Sequence, residues 1–179
     1  MKTNPWTIFL DLEETLIESW SDHTWLTHKA EAIGTFIKRS LIQSAHQSKS
    51  IYHDTPRLEL PRFGLMSWAV WNDADKQIFQ QQLQHWIEGN LKMAFSEDLI
   101  WTMEDWAALV LKNTGLRMSQ QDLFDFCNKE TVLFWLRNAE HGFPHGEITL
   151  IDDAVPHNNV VTSQTRKITT VNVDKLVAG

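Results

Sequence analysis

The alternation of short apolar runs with amphipathic segments is the feature that most constrains the fold of this chain. Runs rich in β-branched, aromatic and aliphatic residues predict strands at 6–11, 62–70, 99–101, 147–152 and 167–173, of which 6–11 is expected to be buried. Between them, apolar residues recur at helical spacing and predict helices at 27–45, 71–91, 103–112, 119–126 and 129–140. Strands that are separated by helices of this length form a parallel sheet with helices on both faces. The sequence therefore predicts an α/β fold.

Residues at the ends of these segments refine the prediction. Thr27 is placed to cap the first helix, and Asn72 or Asp73 is placed to cap the second. The pair Gly89-Asn90 is expected to end that second helix. The alternating pattern of 167–173 indicates a strand at an edge of the sheet or in a half-buried position.

The composition sets limits on the class of protein. A chain of 179 residues with 42% hydrophobic and 22% charged residues is long enough for one globular domain, so we expect a single domain over 1–179. Its formal charge of −7 argues against a protein that coats nucleic acid through bulk phosphate neutralisation. A local phosphate site remains compatible with that charge. Nucleic acid is therefore an unexpected partner, though one that the charge alone does not eliminate.

Cysteine usage and hydropathy indicate the compartment. The single cysteine, Cys127, rules out an intrachain disulfide and a multi-cysteine zinc site, and it reads as a buried thiol. No apolar run approaches the roughly 18 residues that would span a membrane, and no secretory signal is visible. We therefore expect a cytoplasmic protein without a membrane partner.

Carboxylates crowd the predicted ends of two strands. Asp11 follows the first strand and Glu13 comes two residues later, while Asp152 and Asp153 follow a later aliphatic strand. In a parallel sheet these ends converge on one crevice, where like charges raise one another's pKa unless a cation relieves them. Hard oxygen ligands of this kind suit Mg²⁺, which shares its coordination sphere with phosphate oxygens. An Asp beside such a phosphate is able to act as a nucleophile.

Two further residues extend this pattern. Lys129 at the start of a predicted helix and the hydroxyl of Ser67 would supply a positive charge and a donor for a phosphate. Each residue also has an ordinary interpretation: a strand-end Asp often caps a helix or forms a turn, and Lys129 and Ser67 are common as a solvated lysine and a strand serine. The combination and its order carry the functional signal.

That order resembles the motifs of the haloacid dehalogenase (HAD) superfamily, whose members are mostly Mg²⁺-dependent phosphatases with a Rossmann-like core. "FLDLEETLIES" is similar to the first motif, an apolar strand followed by Asp-x-Asp-x-Thr. Ser67 after "FGLM", Lys129 ahead of an amphipathic helix and "TLIDD" are similar to the second, third and fourth motifs. The resemblance runs from about residue 6 to 153 and implies a HAD-like domain with a Rossmann-like parallel sheet.

The resemblance also implies roles for individual residues. Asp11 would be the nucleophile that forms an aspartyl-phosphate, and Glu13 would be the acid and base. Ser67, Lys129 and Thr15 would hold the phosphate and the loop around it. The metal ligands would be Asp11, Asp152, Asp153 and the backbone carbonyl of Glu13, with Mg²⁺ as the cofactor.

One departure from the family pattern leaves two functions open. The family's phosphatases carry Asp at the position of Glu13, and Glu14 stands where a glycine is common. The glutamate has nearly the same intrinsic pKa, but its carboxyl lies one methylene further out, and a displacement of about 1 Å costs roughly a hundredfold in rate. The primary hypothesis is an Mg²⁺-dependent phosphatase. The alternative is a catalytically weak or inactive HAD-fold binding or regulatory protein; a metal-dependent nuclease is a third option, which no basic groove supports.

The gaps between the motifs bear on the substrate. Neither the stretch from Leu16 to Ser67 nor that from Ser67 to Lys129 clearly holds a full cap domain, so little or no cap is expected. Capless members of the family tend to act on exposed phosphates, and the partner is expected to be a phosphorylated small molecule or macromolecule. Four tryptophans are candidates to frame an open mouth: Trp20, Trp25, Trp68 and Trp71.

Overall fold

The fold is an α/β sandwich around one six-stranded sheet. The computed structural model describes residues 6–51, 60–137, 143–144, 146–163 and 166–179. The strand order is β3-β2-β1-β4-β6-β5, and β5 is antiparallel to β6 while the other pairs are parallel. The strands are β1 (Thr7–Leu10), β2 (Arg62–Leu65), β3 (Phe95–Ile100), β4 (Ile148–Asp152), β5 (Asn159–Ser163) and β6 (Arg166–Asn172). The predicted α/β fold with a mostly parallel sheet is confirmed.

Helices connect the strands and cover the sheet. In chain order they are α1 (Thr27–Ile51), α2 (Asp73–Ile78), a π-helical turn (Phe79–Leu83), α3 (Gln84–Leu91), α4 (Met103–Thr114), α5 (Gln120–Phe126), α6 (Lys129–Leu136) and α7 (Val173–Ala178). No helix within the described ranges is both long and apolar enough to cross a membrane.

Two hydrophobic cores lie on opposite faces of the sheet, and the alternation of side chains along β1 separates them. Ile8 and Leu10 belong to the core that includes buried residues of α1, α3 and the π-helical turn. Phe9 belongs to the other core, where α4, α5 and α6 pack around the fully buried Trp106. Between Ser67 and Lys129, the π-helical turn, α3, β3, α4 and α5 all contribute buried residues to these cores.

The order of the strands fixes where a ligand would bind. From β1 the chain proceeds to β2 and β3 on one side, then crosses to β4 on the other side of β1. The carboxyl ends of β1 and β4 therefore border the switch in strand order, the place where open α/β sheets bind ligands. Asp11 and Asp152 lie at those two ends.

Several predicted strand boundaries were wrong. The second strand ends at Leu65 rather than at residue 70, because the chain turns at Ser67, whose Oγ accepts a hydrogen bond from the Ala69 N–H at 3.3 Å. The third strand is longer than predicted and begins at Phe95. Strand β5 was missed, and because it pairs beside β6, the predicted strand at 167–173 lies inside the sheet. The edge position predicted for it was therefore wrong, whereas its mixture of buried and exposed residues fits the half-buried alternative.

The helix boundaries also differ in detail. Thr27 is the first residue of α1 rather than its cap, whereas Asn72 does cap α2 through its side chain. Gly89 does not end the second helix, which continues to Leu91 and stops where Lys92 adopts a left-handed conformation with φ 54°. Helix α6 ends at Leu136; residues 138–140 of the predicted helix lie outside the described residues.

Candidate functional site

Three aspartates converge at the carboxyl ends of β1 and β4. Asp11, Asp152 and Asp153 each offer a carboxylate oxygen, and these atoms lie within 4.8 Å of one another. Backbone pairing holds the strand ends in register, since Asp11 N donates to Ile151 O at 3.1 Å and Met66 N donates to Leu10 O at 2.9 Å. The local fold thus brings together two motifs that are about 140 residues apart in the sequence.

Lys129 lies against this cluster. Its Nζ is 2.7 Å from Asp11 Oδ1 and 2.6 Å from Asp152 Oδ2, and its side chain is 12% exposed. Lys129 is the first residue of α6, where the Asn128 side chain caps the helix by accepting from Thr131 N at 2.8 Å. The start of helix α6 therefore places the Lys129 ammonium in contact with the carboxylates of Asp11 and Asp152.

Burial and mutual repulsion shift the titration of this cluster. Burial, with a further contribution from Asp152, raises the pKa of Asp11 to about 6, although Lys129 opposes the shift. Burial and the charges of Asp152 and Asp11 raise the pKa of Asp153 to about 7. Burial alone would lower the pKa of Lys129, but Asp11 and Asp152 more than offset it and the pKa is raised. Asp11 and Asp153 thus favour a bound proton or cation over full ionisation.

Thr15 and Ser67 border the same cluster. Thr15 is fully buried, and its Oγ1 donates to Asp11 Oδ2 at 3.4 Å and approaches Asp153 Oδ1 at 3.5 Å. Ser67 is 1% exposed and lines the cleft above Asp11. A backbone N–H also fixes one aspartate, since Ala154 N donates to Asp152 Oδ1 at 2.8 Å. The residues predicted to hold a phosphate therefore lie beside the predicted metal ligands.

The loop after β1 carries the two residues that depart from the family pattern. Glu13 lines the cleft, and its Oε1 accepts a hydrogen bond from Trp20 N at 2.7 Å. In the described part of the chain no hydrogen bond engages the other oxygen, Oε2. Glu14 adopts a positive φ of 56°, a conformation that favours glycine, and its backbone N donates to Ile17 O at 2.7 Å. The Glu13 carboxylate is not among the oxygens of the aspartate cluster.

Sequence reasoning missed residues that support the site from the C-terminal side. Asn172 Nδ2 donates to Asp153 O and to Val155 O, both at 2.8 Å, while its Oδ1 accepts from Lys175 N and caps α7. Lys29 Nζ donates to Glu14 O and pairs with Asp174 of α7. An Asn at the end of a parallel strand was the only available signal, and it is too common in turns to identify a supporting residue.

The aspartates open into a cleft of about 310 Å³. It is lined by six carboxylates, namely Asp11, Glu13, Glu14, Glu18, Asp152 and Asp153, and by Lys129, Ser67, Ser19, Trp68 and Ala154. Of the four tryptophans considered for a mouth, Trp68 lines this cleft. Trp25 instead stacks on Trp86 with ring centroids 3.9 Å apart, and Trp71 packs near Phe124.

Two other side chains with titratable groups, Cys127 and His157, do not belong to the aspartate cluster. Cys127 is a buried thiol as predicted, and burial raises its pKa, so it does not present a reactive thiolate. His157 is exposed, and its Nδ1 accepts from Asn172 N at 3.3 Å. Searches of protein-family models, curated proteins and solved structures find no match to this chain.

Proposed function

We propose that this protein is a HAD-like, Mg²⁺-dependent phosphatase that hydrolyses phosphomonoesters through an aspartyl-phosphate on Asp11. The observation that carries the proposal is the convergence of three aspartate oxygens within 4.8 Å with the Lys129 ammonium 2.7 Å from Asp11. A buried group of like charges at a strand-order switch costs folding free energy, and a bound cation and phosphate would offset that cost.

The donor set fits a hard divalent cation. Asp11, Asp152 and Asp153 would hold Mg²⁺, together with the backbone carbonyl of Glu13, because carboxylate and carbonyl oxygens are its preferred protein ligands. When bound, the ion would neutralise the carboxylates and the charge on the phosphate oxygens.

The residues divide the reaction into two steps. In the first, an Asp11 carboxylate oxygen attacks phosphorus, the bond from phosphorus to the leaving oxygen breaks, and Glu13 protonates that oxygen. In the second, Glu13 takes a proton from a water molecule that attacks the aspartyl-phosphate, which releases inorganic phosphate and the free Asp11 carboxylate. Lys129 and Ser67 would hold the phosphate oxygens while the bonds change.

The contact of Glu13 supports the alternative of a weak or silent site. Its Oε1 is held by the Trp20 N–H at 2.7 Å, so the carboxylate either works through Oε2 or must leave this hydrogen bond. General acid-base transfer needs an approach of roughly 2.6 to 3.2 Å, and a carboxylate held elsewhere would not reach the leaving oxygen. In that case the cleft would bind a metal and a phosphorylated ligand without rapid hydrolysis.

The test is hydrolysis of p-nitrophenyl phosphate with and without Mg²⁺. Wild type, Asp11→Asn and Glu13→Asp are compared with Asp73→Asn, a matched control because Asp73 is exposed in the first turn of α2. We expect Mg²⁺-dependent turnover that Asp11→Asn abolishes and Asp73→Asn retains. Activity that is unchanged in Asp11→Asn would refute the mechanism. Turnover that appears only in Glu13→Asp would favour the silent site.

The partner and compartment follow from the same proposal. The partner is a phosphorylated compound, and we place the activity in the cytoplasm because the single cysteine suits a reducing compartment. The acidic lining of the cleft disfavours nucleic-acid backbones, which carry many neighbouring negative charges.

A further inference from the structure

A second cavity of about 370 Å³ adjoins the cleft that holds the aspartates. The two spaces share Trp68, Lys129, Asp152 and Ala154 as lining residues. A group attached to a phosphate beside Lys129 would therefore extend directly into this second cavity. We call it the side cavity.

Three aromatic side chains line the side cavity, namely Trp68, Phe124 and Phe126, and both phenylalanines are accessible. Phe126 is 79% exposed and Phe124 is 54% exposed, although burial of a Phe side chain is normally favourable. Trp68 is held in place at the boundary between the two spaces. Its Nε1 donates to Cys127 O at 3.2 Å, and the Lys129 Nζ lies 5.8 Å from the centroid of its ring.

The charges around the side cavity restrict what it accepts. Asp125, Glu130 and Asp152 line it, and Lys129 is the only cation among its described lining residues. Lys129 is already paired with Asp11 and Asp152 at 2.7 and 2.6 Å. A leaving group with negative charge of its own would meet the carboxylates of Asp125 and Glu130, whereas a neutral flat ring would gain contacts with Trp68 and Phe126.

We infer that the side cavity binds the leaving group of the substrate, and that this group is neutral and carries a flat aromatic ring. The inference rests on the proposed phosphatase function and adds the substrate class. Offset or edge-on packing of a ring on these aromatic side chains is worth about a 2- to 10-fold change in affinity. Nucleoside monophosphates and phosphorylated phenols both carry such a ring, so the ring is the shared chemistry.

The experiment compares 2-phenylethyl phosphate with ethyl phosphate in Mg²⁺. Both esters release a primary alcohol, so they differ chiefly in the ring. We expect kcat/KM to be about 2- to 10-fold higher for the phenyl ester, and Phe126→Ala to bring this ratio close to one. Phe126→Tyr keeps a ring and should preserve the ratio. Phe134→Ala is the matched control, because Phe134 is 48% exposed on α6 but packs against Arg137 outside the side cavity.

Binding without turnover separates this inference from the proposed function. Calorimetric titration of Asp11→Asn with both esters should give a tighter Kd for the phenyl ester, and Phe126→Ala in that background should remove the difference. Equal or undetectable binding of the two esters would overturn the inference, even if wild type hydrolyses both. Tighter binding of the phenyl ester without any turnover in wild type would refute the phosphatase and leave the ring site standing.

The source of the ring is resolved by two further ligands. Adenosine 5′-monophosphate and phenyl phosphate place their rings at different distances from phosphorus. If the phenyl-ester preference is present, the tighter of these two identifies the nucleoside or the phenol as the natural ring. If both bind no better than ethyl phosphate, the inference is overturned for natural substrates.

Discussion

Replacement of Asp11 by Asn is expected to stabilise the metal-free protein at neutral pH. Burial raises the pKa of Asp11 from 3.8 to about 6, so the folded state binds this proton more tightly than the unfolded state does. Stability from this group is therefore present at low pH and is lost as pH rises from about 4 to about 6. Asn mimics the protonated carboxyl and removes the loss, while Lys129 keeps Asp152 as a partner at 2.6 Å.

The size of the effect follows from the shift. About two pKa units at about 1.4 kcal/mol per unit give a gain of up to about 3 kcal/mol at pH 7.5. The same calculation gives about 1 kcal/mol at pH 4.5, because the carboxyl is then mostly protonated in the folded state. For a domain of this size a gain of 3 kcal/mol raises Tm by about 6 to 12 °C. Asp73→Asn should stay within about 0.5 kcal/mol of wild type.

The assay is thermal and urea unfolding in EDTA at both pH values, repeated in Mg²⁺. Mg²⁺ at 1,000 times Kd should reverse the order, since binding at that concentration stabilises wild type by about 4.1 kcal/mol and the variant has lost a ligand. A lower Tm for Asp11→Asn in EDTA at pH 7.5 would refute the electrostatic reasoning. A gain of equal size at pH 4.5 would also refute it, because the stabilisation would then have another origin.

Substitutions at four other positions test separate features. Lys129→Met should lower the unfolding free energy in EDTA by about 3 kcal/mol, because it leaves buried carboxylates without their cation, and added Mg²⁺ should restore much of the loss in urea titrations. Glu14→Gly should raise the free energy of unfolding by about 1 kcal/mol, because a non-glycine residue at φ 56° is strained. An unchanged urea midpoint would contradict this prediction. Gly64→Ala should lower the free energy of unfolding, measured by thermal denaturation, by about 1 to 3 kcal/mol, since a Cβ there would lie 2.6 Å from a ring atom of Phe9. Thr102→Ala removes the capping box of α4 and should lower the free energy of unfolding by about 1 kcal/mol. Thr102→Ser keeps the hydroxyl and should retain most of the stability.

The extent to which the sequence predicts this structure depends on how local each signal is. Strand β1 and helix α6 were predicted because their apolar patterns lie in neighbouring residues. The convergence of Asp11 with Asp152 followed from one topological rule about parallel strands. Strand β5 was not predictable in this way, because Asn159–Ser163 is short, is exposed at Asn159 and Val160, and is defined by its pairing with β6.

The site was also predicted only where its signals are local in the sequence or follow from the topology. Residue types and their order indicated the aspartates and Lys129, but the orientation of the Glu13 carboxylate depends on a hydrogen bond to Trp20 N that no pattern encodes. The side cavity depends on which rings the turn between α5 and α6 leaves accessible. The accessibility of these rings is a property of packing, and the sequence around Phe124 and Phe126 does not indicate it.

The contacts of Asn172 give the last helix a role beyond covering the sheet. Asn172 joins α7 to the loop of Asp153, and Asp174 of α7 joins Lys29, which also holds the carbonyl of Glu14. The acidic loops on both sides of the crevice are thus linked through one short helix. A shortened chain that lacks α7 would keep Asn172 and every residue proposed to bind the phosphate. It would lose Asp174, the partner of Lys29, and the Lys175 N–H that holds Asn172 Oδ1. Helix α7 therefore supports the site, although none of its residues lines the cleft.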